Sequence, residues 1–148
     1  MKSEPDAYSY EDLVRDGAEH WDGVRNYQAR NYLQAQRKGD QVLFYHSNCV
    51  EPGVVGIAKV MREAYPDHTA FDPTDKHFDP KSKPDAPTWF MTDIAPVRAL
   101  RRTVTLHELQ GRPDLEGLAL IRRGNRLSVM PLSKEHFTFI VSQEKLKR

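Results

Sequence analysis

The sequence predicts an α+β domain, a small mixed β-sheet or barrel with short helices around it. Three observations carry that expectation. Helix starts with their own capping chemistry recur at Ser9, Thr105 and Ser133. Between them lie strand-like apolar runs, of which 41–46 (QVLFYH) is apolar on both faces and too short for a helix. Nowhere do a strand, a glycine-rich phosphate loop and a helix follow one another, which argues against a doubly wound fold. At 148 residues the chain reads as one domain, 1–148, and a chain of this size buries roughly two thirds of the surface its unfolded form exposes, enough for one core.

In chain order, residues 1–4 read as the end of a strand. Ser9 caps a first helix with Asp12 at its third position, Tyr8 and Leu13 stand where a hydrophobic staple joins, and Gly17 supplies the left-handed stop. A second helix covers 26–36, closed by the turn Lys38-Gly39-Asp40, and leads into the central strand 41–46. The next strand is 53–62 (GVVGIAKVMR). Residues 65–87 hold five prolines and many aspartates, too many for regular structure. Within them Phe71-Asp72-Pro73 and Phe78-Asp79-Pro80 repeat a tripeptide, and the phenylalanines predict an ordered loop packed down over one mouth of the sheet. A third strand covers 89–100 with a break at Pro96, and Thr105 with Glu108 starts another helix, Val104 facing Leu109. Residues 126–130 (RLSVM) read as a fourth strand. Ser133 starts the last helix, with Leu132 against Phe137 and a buried stripe of Phe137, Ile140 and Val141.

Composition removes several function classes. Cys49 is the one cysteine, so no intrachain disulfide forms, no zinc site is built from cysteines alone, and a reducing, cytoplasmic setting is expected. No signal-like start and no run of about 18 apolar residues is present, so no membrane partner is expected. The 22 Lys and Arg nearly cancel the 21 Asp and Glu, which excludes a uniform basic coat and leaves a local patch as the way to hold nucleic acid. The basic excess is C-terminal: 99–148 carries 10 basic against 5 acidic side chains, among them Arg122, Arg123, Arg126 and the tail Lys145, Lys147 and Arg148.

The densest chemistry lies in 21–31 (WDGVRNYQARN), two aromatics, two arginines and two asparagines around a turn and a helix start. Aromatic faces stack on planar rings, amides read ring edges, and arginines hold phosphates or carboxylates. The same pattern also fits core aromatics with surface arginines. A second group, Tyr45-His46-Ser47-Asn48, ends the central strand in polar residues, either as pocket residues or as a simple strand cap. His46, Ser47 and Cys49 lack the elbow or signature of a hydrolase nucleophile. Asp67, His68, Asp72, Asp75, His77 and Asp79 match neither a calcium loop nor a zinc helix motif, so no metal and no cofactor is expected.

Several strings occur together in order: Lys2-Ser3-Glu4-Pro5, WDGVRNYQARN, FYHSN at 44–48, PGVVGI at 52–57, AYPD at 64–67, Phe71-Asp72-Pro73, Asp79-Pro80-Lys81-Ser82 with Pro87 and Trp89, and Arg126-Leu127-Ser128-Val129. Through them the chain resembles the EVE-domain family over essentially its whole length. Family members carry a short stretch with a tryptophan before the Met-Lys-Ser-Glu-Pro motif; here Met1 stands inside it, so a shortened first strand is expected. The resemblance implies a PUA-like fold, a small β-barrel with peripheral helices related to the YTH domains that read methylated adenine in RNA. It also implies a pocket for a modified base, 5-methylcytosine or its oxidised forms in DNA, with an RNA-directed role open.

On that basis Trp21 is the stacking wall, and Lys2, Ser3, Val24, Asn26, His46, Ser47, Asn48, Leu127 and Ser128 line the base pocket. Arg25, Arg30, Lys81 and Arg126 meet phosphates, and Tyr65, Phe71 and Trp89 form a second rank that packing would explain equally well. The leading expectation is a non-catalytic reader of modified DNA or RNA. Two others stand beside it: an enzyme or binder of a small nucleotide-like anion using His46 and Ser47, and an adaptor acting through the basic tail.

Overall fold

The computed structural model describes residues 1–146; Lys147 and Arg148 of the basic tail lie outside the described residues. Five strands form one mixed sheet: β1 (Lys2–Ser3), β2 (Glu19–His20), β3 (Gln41–His46), β4 (Gly53–Pro66) and β5 (Phe90–Thr105), in the spatial order β1-β3-β4-β5-β2. β1 runs parallel to β3, with Ser3 opposite His46, and the other neighbours are antiparallel. The long β4–β5 ribbon changes register at four places and β3–β4 at one, and such irregularities bend and twist a sheet. Trp21, just past the β2 edge, thereby comes against Phe44 of β3. The mixed barrel expected from the resemblance is realised as this curled sheet with helices outside it.

The helices are α1 (Tyr10–Asp16), α2 (Tyr27–Ala35), α3 (Leu106–Leu109) and α4 (Lys134–Ser142). Local chemistry sets their ends. The Ser9 hydroxyl accepts the Asp12 N–H while the Asp12 carboxylate accepts the Ser9 N–H, and Gly17 closes α1 at φ 77°. Asn26 caps α2, Ser133 caps α4, and Thr105 with Glu108 repeats the reciprocal box on the single turn of α3. Of the stripe expected on α4, only Ile140 is fully buried; Phe137 and Val141 pack at its border. Among the described residues no helix is long and apolar enough to cross a membrane.

Two hydrophobic clusters share β3. Val42 and Phe44 face one, with Tyr10, Leu13, Trp21, Val24, Leu127 and Val129; Leu43 and Tyr45 face the other, with Val54, Leu109, Leu115 and Ile140. That two-sided burial is why the strand shows no polar alternation. Gly56 permits α1 to dock on the sheet: a Cβ there would stand 2.5 Å from the Tyr10 ring, whose hydroxyl donates to the Ile57 carbonyl at 2.6 Å.

Three expectations need correction. Pro96 does not break the third strand; it pairs opposite Ala58 at a register shift, where a residue without an N–H is tolerated. Residues 126–130 do not join the sheet: they run beside β1, with Lys2 N–H donating to the Ser128 carbonyl at 2.8 Å. Burial of Leu127 and Val129 between less buried neighbours gives that segment a strand's alternation without a strand's ladder. The 67–89 loop is ordered, but its aspartates hold it rather than its phenylalanines. Asp67, Asp72, Asp75 and Asp79 each accept the N–H two residues on, at 2.8–3.0 Å, while Phe78 is 38% exposed and Phe71 only partly buried.

Candidate nucleic-acid interface

Strand alternation on β2 sends Trp21 inward, and its N–H continues the pairing by donating to the Thr92 carbonyl at 2.7 Å. The indole is only 9% exposed. It stands edge-on to Phe44 at 5.5 Å, and Phe44 also meets Tyr10 at 5.3 Å and His46 at 5.8 Å. Phe44 is therefore the hub of an aromatic cluster that gathers Trp21, with Val24 and Leu127 in the same packed group.

Beyond Trp21 the chain turns at Gly23, where φ is 79° and the His77 ring lies against the glycine so closely that a Cβ would meet it at 2.5 Å. The Gly23 N–H donates to the buried Asp67 carboxylate at 2.8 Å. Arg25 reaches the same carboxylate at 3.0 Å and also donates to Thr69 Oγ1 and the carbonyls of Val24 and His77. These contacts use all five guanidinium N–H groups. The expected phosphate role of Arg25 is therefore not what the geometry provides: the side chain latches the loop and has no donor to spare. Burial pushes the Asp67 carboxyl up, but hydrogen bonds from Thr69, Gly23 and Arg25 outweigh it and leave its pKa below the ordinary value.

The aromatic surface open to solvent is Tyr27, the first residue of α2, at 62% exposure. Its ring lies 5.0 Å from Trp89, tilted by 30°. The Arg30 guanidinium sits 5.0 Å from the Tyr27 ring and that of Arg25 5.4 Å from Trp89. Arg30 donates to the Thr88 carbonyl and to Asn31, which leaves part of its fork for another acceptor. Trp89 is fixed from behind by Nε1–H donating to Asp79 at 2.7 Å. Tyr27 thus belongs with the functional candidates, although in sequence it was equally readable as core.

At the β1 and β3 ends the polar side chains are largely spoken for within the fold. Ser3 Oγ donates to the Tyr8 carbonyl at 2.6 Å, and Ser47 N–H pairs with the Ser3 carbonyl at 3.0 Å. Asn48, at φ 50°, donates to Glu4 at 3.0 Å. His46 Nε2 accepts the Tyr10 N–H at 3.1 Å, and burial lowers its pKa. With that nitrogen occupied it is not placed to act as a general base. Lys2 Nζ lies 5.7 Å over the Tyr45 ring.

Other candidates are placed apart from Trp21. Asn26 spends its side-chain oxygen on the Ala29 N–H at 2.9 Å. Tyr65 donates to Asp93 at the far end of the ribbon, under the Arg62 guanidinium at 3.6 Å, and burial with that bond pushes its pKa to about 12. Lys81 and Arg126 are exposed. A groove of about 530 Å³ lies on another side, lined by Met1, Lys2, Val42, Val60, Val129 and Phe137 among others, and Trp21 is not in its wall. There the Met1 ammonium donates to the Leu43 carbonyl at 2.9 Å, and burial, then the Lys2 charge, lowers its pKa to about 5.

Comparison with known proteins places the chain by likeness of sequence and fold. Mouse thymocyte nuclear protein 1 is 46% identical over 97% of this chain and 72% of its own length, and the human protein is 44% identical over the same shares. Among solved structures, a Pseudomonas putida protein superposes with a TM-score of 0.95 at 47% identity, covering 97% of each chain. A crystal structure of human THYN1 protein in complex with 5-methylcytosine-containing DNA superposes at 0.93 with 42% identity, covering 100% of this chain and 97% of that one. The EVE domain family model matches residues 1–143, and the chain belongs to that family.

Proposed function

We propose that this domain is a non-catalytic reader of modified cytosine in DNA. The observation that carries the reading is the likeness, over the full chain at 42% identity, to human THYN1 protein in complex with 5-methylcytosine-containing DNA. The aromatic cluster around Trp21 and Phe44 receives the base, and the exposed Tyr27 ring, backed by the buried Trp89 and flanked by Arg30, supports the strand beside it. Such a division fits general recognition physics: capture of an extruded base needs a snug aromatic pocket, whereas flanking contacts need open rings and cations. Because Trp21 shows only its rim, the base engages it after the surrounding side chains yield, and affinity for a single modified site is modest.

The test is binding of matched duplexes carrying cytosine or 5-methylcytosine, at two salt concentrations so that phosphate contacts are separated from base contacts. Trp21→Phe and Trp21→Ala are expected to erase the preference for the modified duplex, and Tyr27→Ala with Arg30→Ala to weaken both duplexes alike. Equal affinity of the wild type for both duplexes would overturn the reader function; a preference that survives both Trp21 variants would move the pocket elsewhere.

A further inference from the structure

We propose that His20, Asp22 and His68 form a three-ligand site for a divalent transition ion of the zinc class, on the outer face of β2. The same alternation that buries Trp21 places its two neighbours outward, so a histidine and a carboxylate share one side of the strand. His68 arrives from the opposite direction as the first residue of the single helical turn His68–Phe71. Its ring stands 5.2 Å from that of His20 at an interplanar angle of 72°, and one ligand atom from each of the three residues lies within 4.8 Å of the others.

The distances suit such an ion. Zinc bonds to nitrogen and oxygen of about 2.0–2.1 Å at tetrahedral angles put ligand atoms about 3.3 Å apart. His20 Nε2 and Asp22 Oδ2 are already 3.4 Å apart, and His68, exposed, closes the remainder by side-chain rotation. Glu19 Oε1 stands 3.2 Å from His20 Nδ1, the carboxylate that orients a metal-bound imidazole and leaves Nε2 for the ion. Two imidazoles and one carboxylate favour zinc, nickel or copper over magnesium or calcium, which prefer all-oxygen sites.

The two ligand-bearing segments are also fixed to each other. Gly23 follows Asp22, Asp67 precedes His68, and the Gly23 N–H donates to Asp67 at 2.8 Å. That partly buried bond holds both backbones where the ligands converge, so the ion has only side chains left to order. Sequence spacing tests miss the site because its ligands are split between 20–22 and 68, and the aspartates that drew attention in the loop serve as turn formers. A bound ion would clamp the sheet edge to the loop beside the Trp21 turn.

The experiment uses tag-free, chelator-treated full-length chain titrated with zinc sulfate by calorimetry, with thermal melting in parallel and cobalt(II) absorption as a geometry readout. One equivalent is expected to bind, to raise the melting temperature, and to give a cobalt ligand-field band. His20→Ala and His68→Ala should each weaken binding at least about tenfold, and Glu19→Gln about tenfold through the lost orienting contact. His107→Ala, on α3, should bind as the wild type does, and magnesium should not replace zinc. Absence of stoichiometric zinc binding, or binding unchanged in both His20→Ala and His68→Ala, overturns the proposal. All four side chains are exposed or partly so, and the melting curve of each zinc-free variant verifies its fold.

Discussion

Asp67→Asn tests how the loop is held. The carboxylate is fully buried and accepts four hydrogen bonds: Oδ2 from Gly23 N–H at 2.8 Å and from Arg25 at 3.0 Å, Oδ1 from Thr69 N–H at 2.9 Å and Thr69 Oγ1 at 2.6 Å. An amide keeps the shape but has one oxygen; with that oxygen kept for Gly23 and Arg25, its NH2 turns toward Thr69, whose hydroxyl can rotate to accept it, and the Thr69 N–H is left without a partner. One hydrogen bond to a charged group, worth about 1.5–3 kcal/mol, is lost. The Arg25 side chain is 22% exposed, and solvent softens the loss of its counter-charge, so about 1.5–3 kcal/mol is the expected cost. Urea denaturation at neutral pH measures it. Trypsin sensitivity at Lys76 and Lys81, both exposed on the loop, should rise as the latch fails. Asp75→Asn, whose carboxylate caps a surface turn, should stay within about 0.5 kcal/mol of wild type. If Asp67→Asn behaves like Asp75→Asn in both assays, the latch is not what holds the loop.

Gly56→Ala should destabilise by about 1–3 kcal/mol, the usual cost of overpacking, because the Tyr10 ring it meets at 2.5 Å is tethered through its hydroxyl; thermal melts compared with Tyr10→Phe,Gly56→Ala would show whether releasing the tether recovers part of the loss. Acid should weaken the fold through two glutamates. Hydrogen bonds from Arg102 and Arg98 hold Glu108 and Glu144 at about 2, below their ordinary 4.5, so their contribution is present above pH 4.5 and disappears as pH falls toward 2. Glu144→Gln is expected to flatten the decline of urea midpoints over that window, and an unchanged slope would count against the Arg98 pairing.

What was legible in the sequence was local. Ser9, Thr105 and Ser133 announced their helices because a cap and its partner sit three residues apart, and 41–46 announced a two-sided strand by its composition. What required partners distant in sequence was not. Pro96 is harmless only because Ala58 sits opposite it at a register shift, and no feature near Pro96 records that. Arg25 looked like a phosphate ligand by residue type; apart from the Val24 carbonyl its acceptors come from 67–77, 42 to 52 positions away. Tyr27 and Trp21 lie six residues apart in one motif, yet the turn at Gly23 and the Asn26 cap put one in solvent and the other in the core. The family strings identified the domain, while which ring stands open to solvent depends on that turn.

The placement of β3 between two cores sets how the molecule comes apart. Phe44 belongs to the Trp21 side and Leu43 to the side capped by α4, so neither half has a strand of its own to retain when the other is lost. A polar substitution on either face exposes one surface of the same ribbon and withdraws support from the opposite one. Native-state hydrogen exchange should accordingly find the amides of β3 and its β4 partner opening together, in one event as rare as global unfolding, with the Trp21 side unable to melt while the other half stays folded.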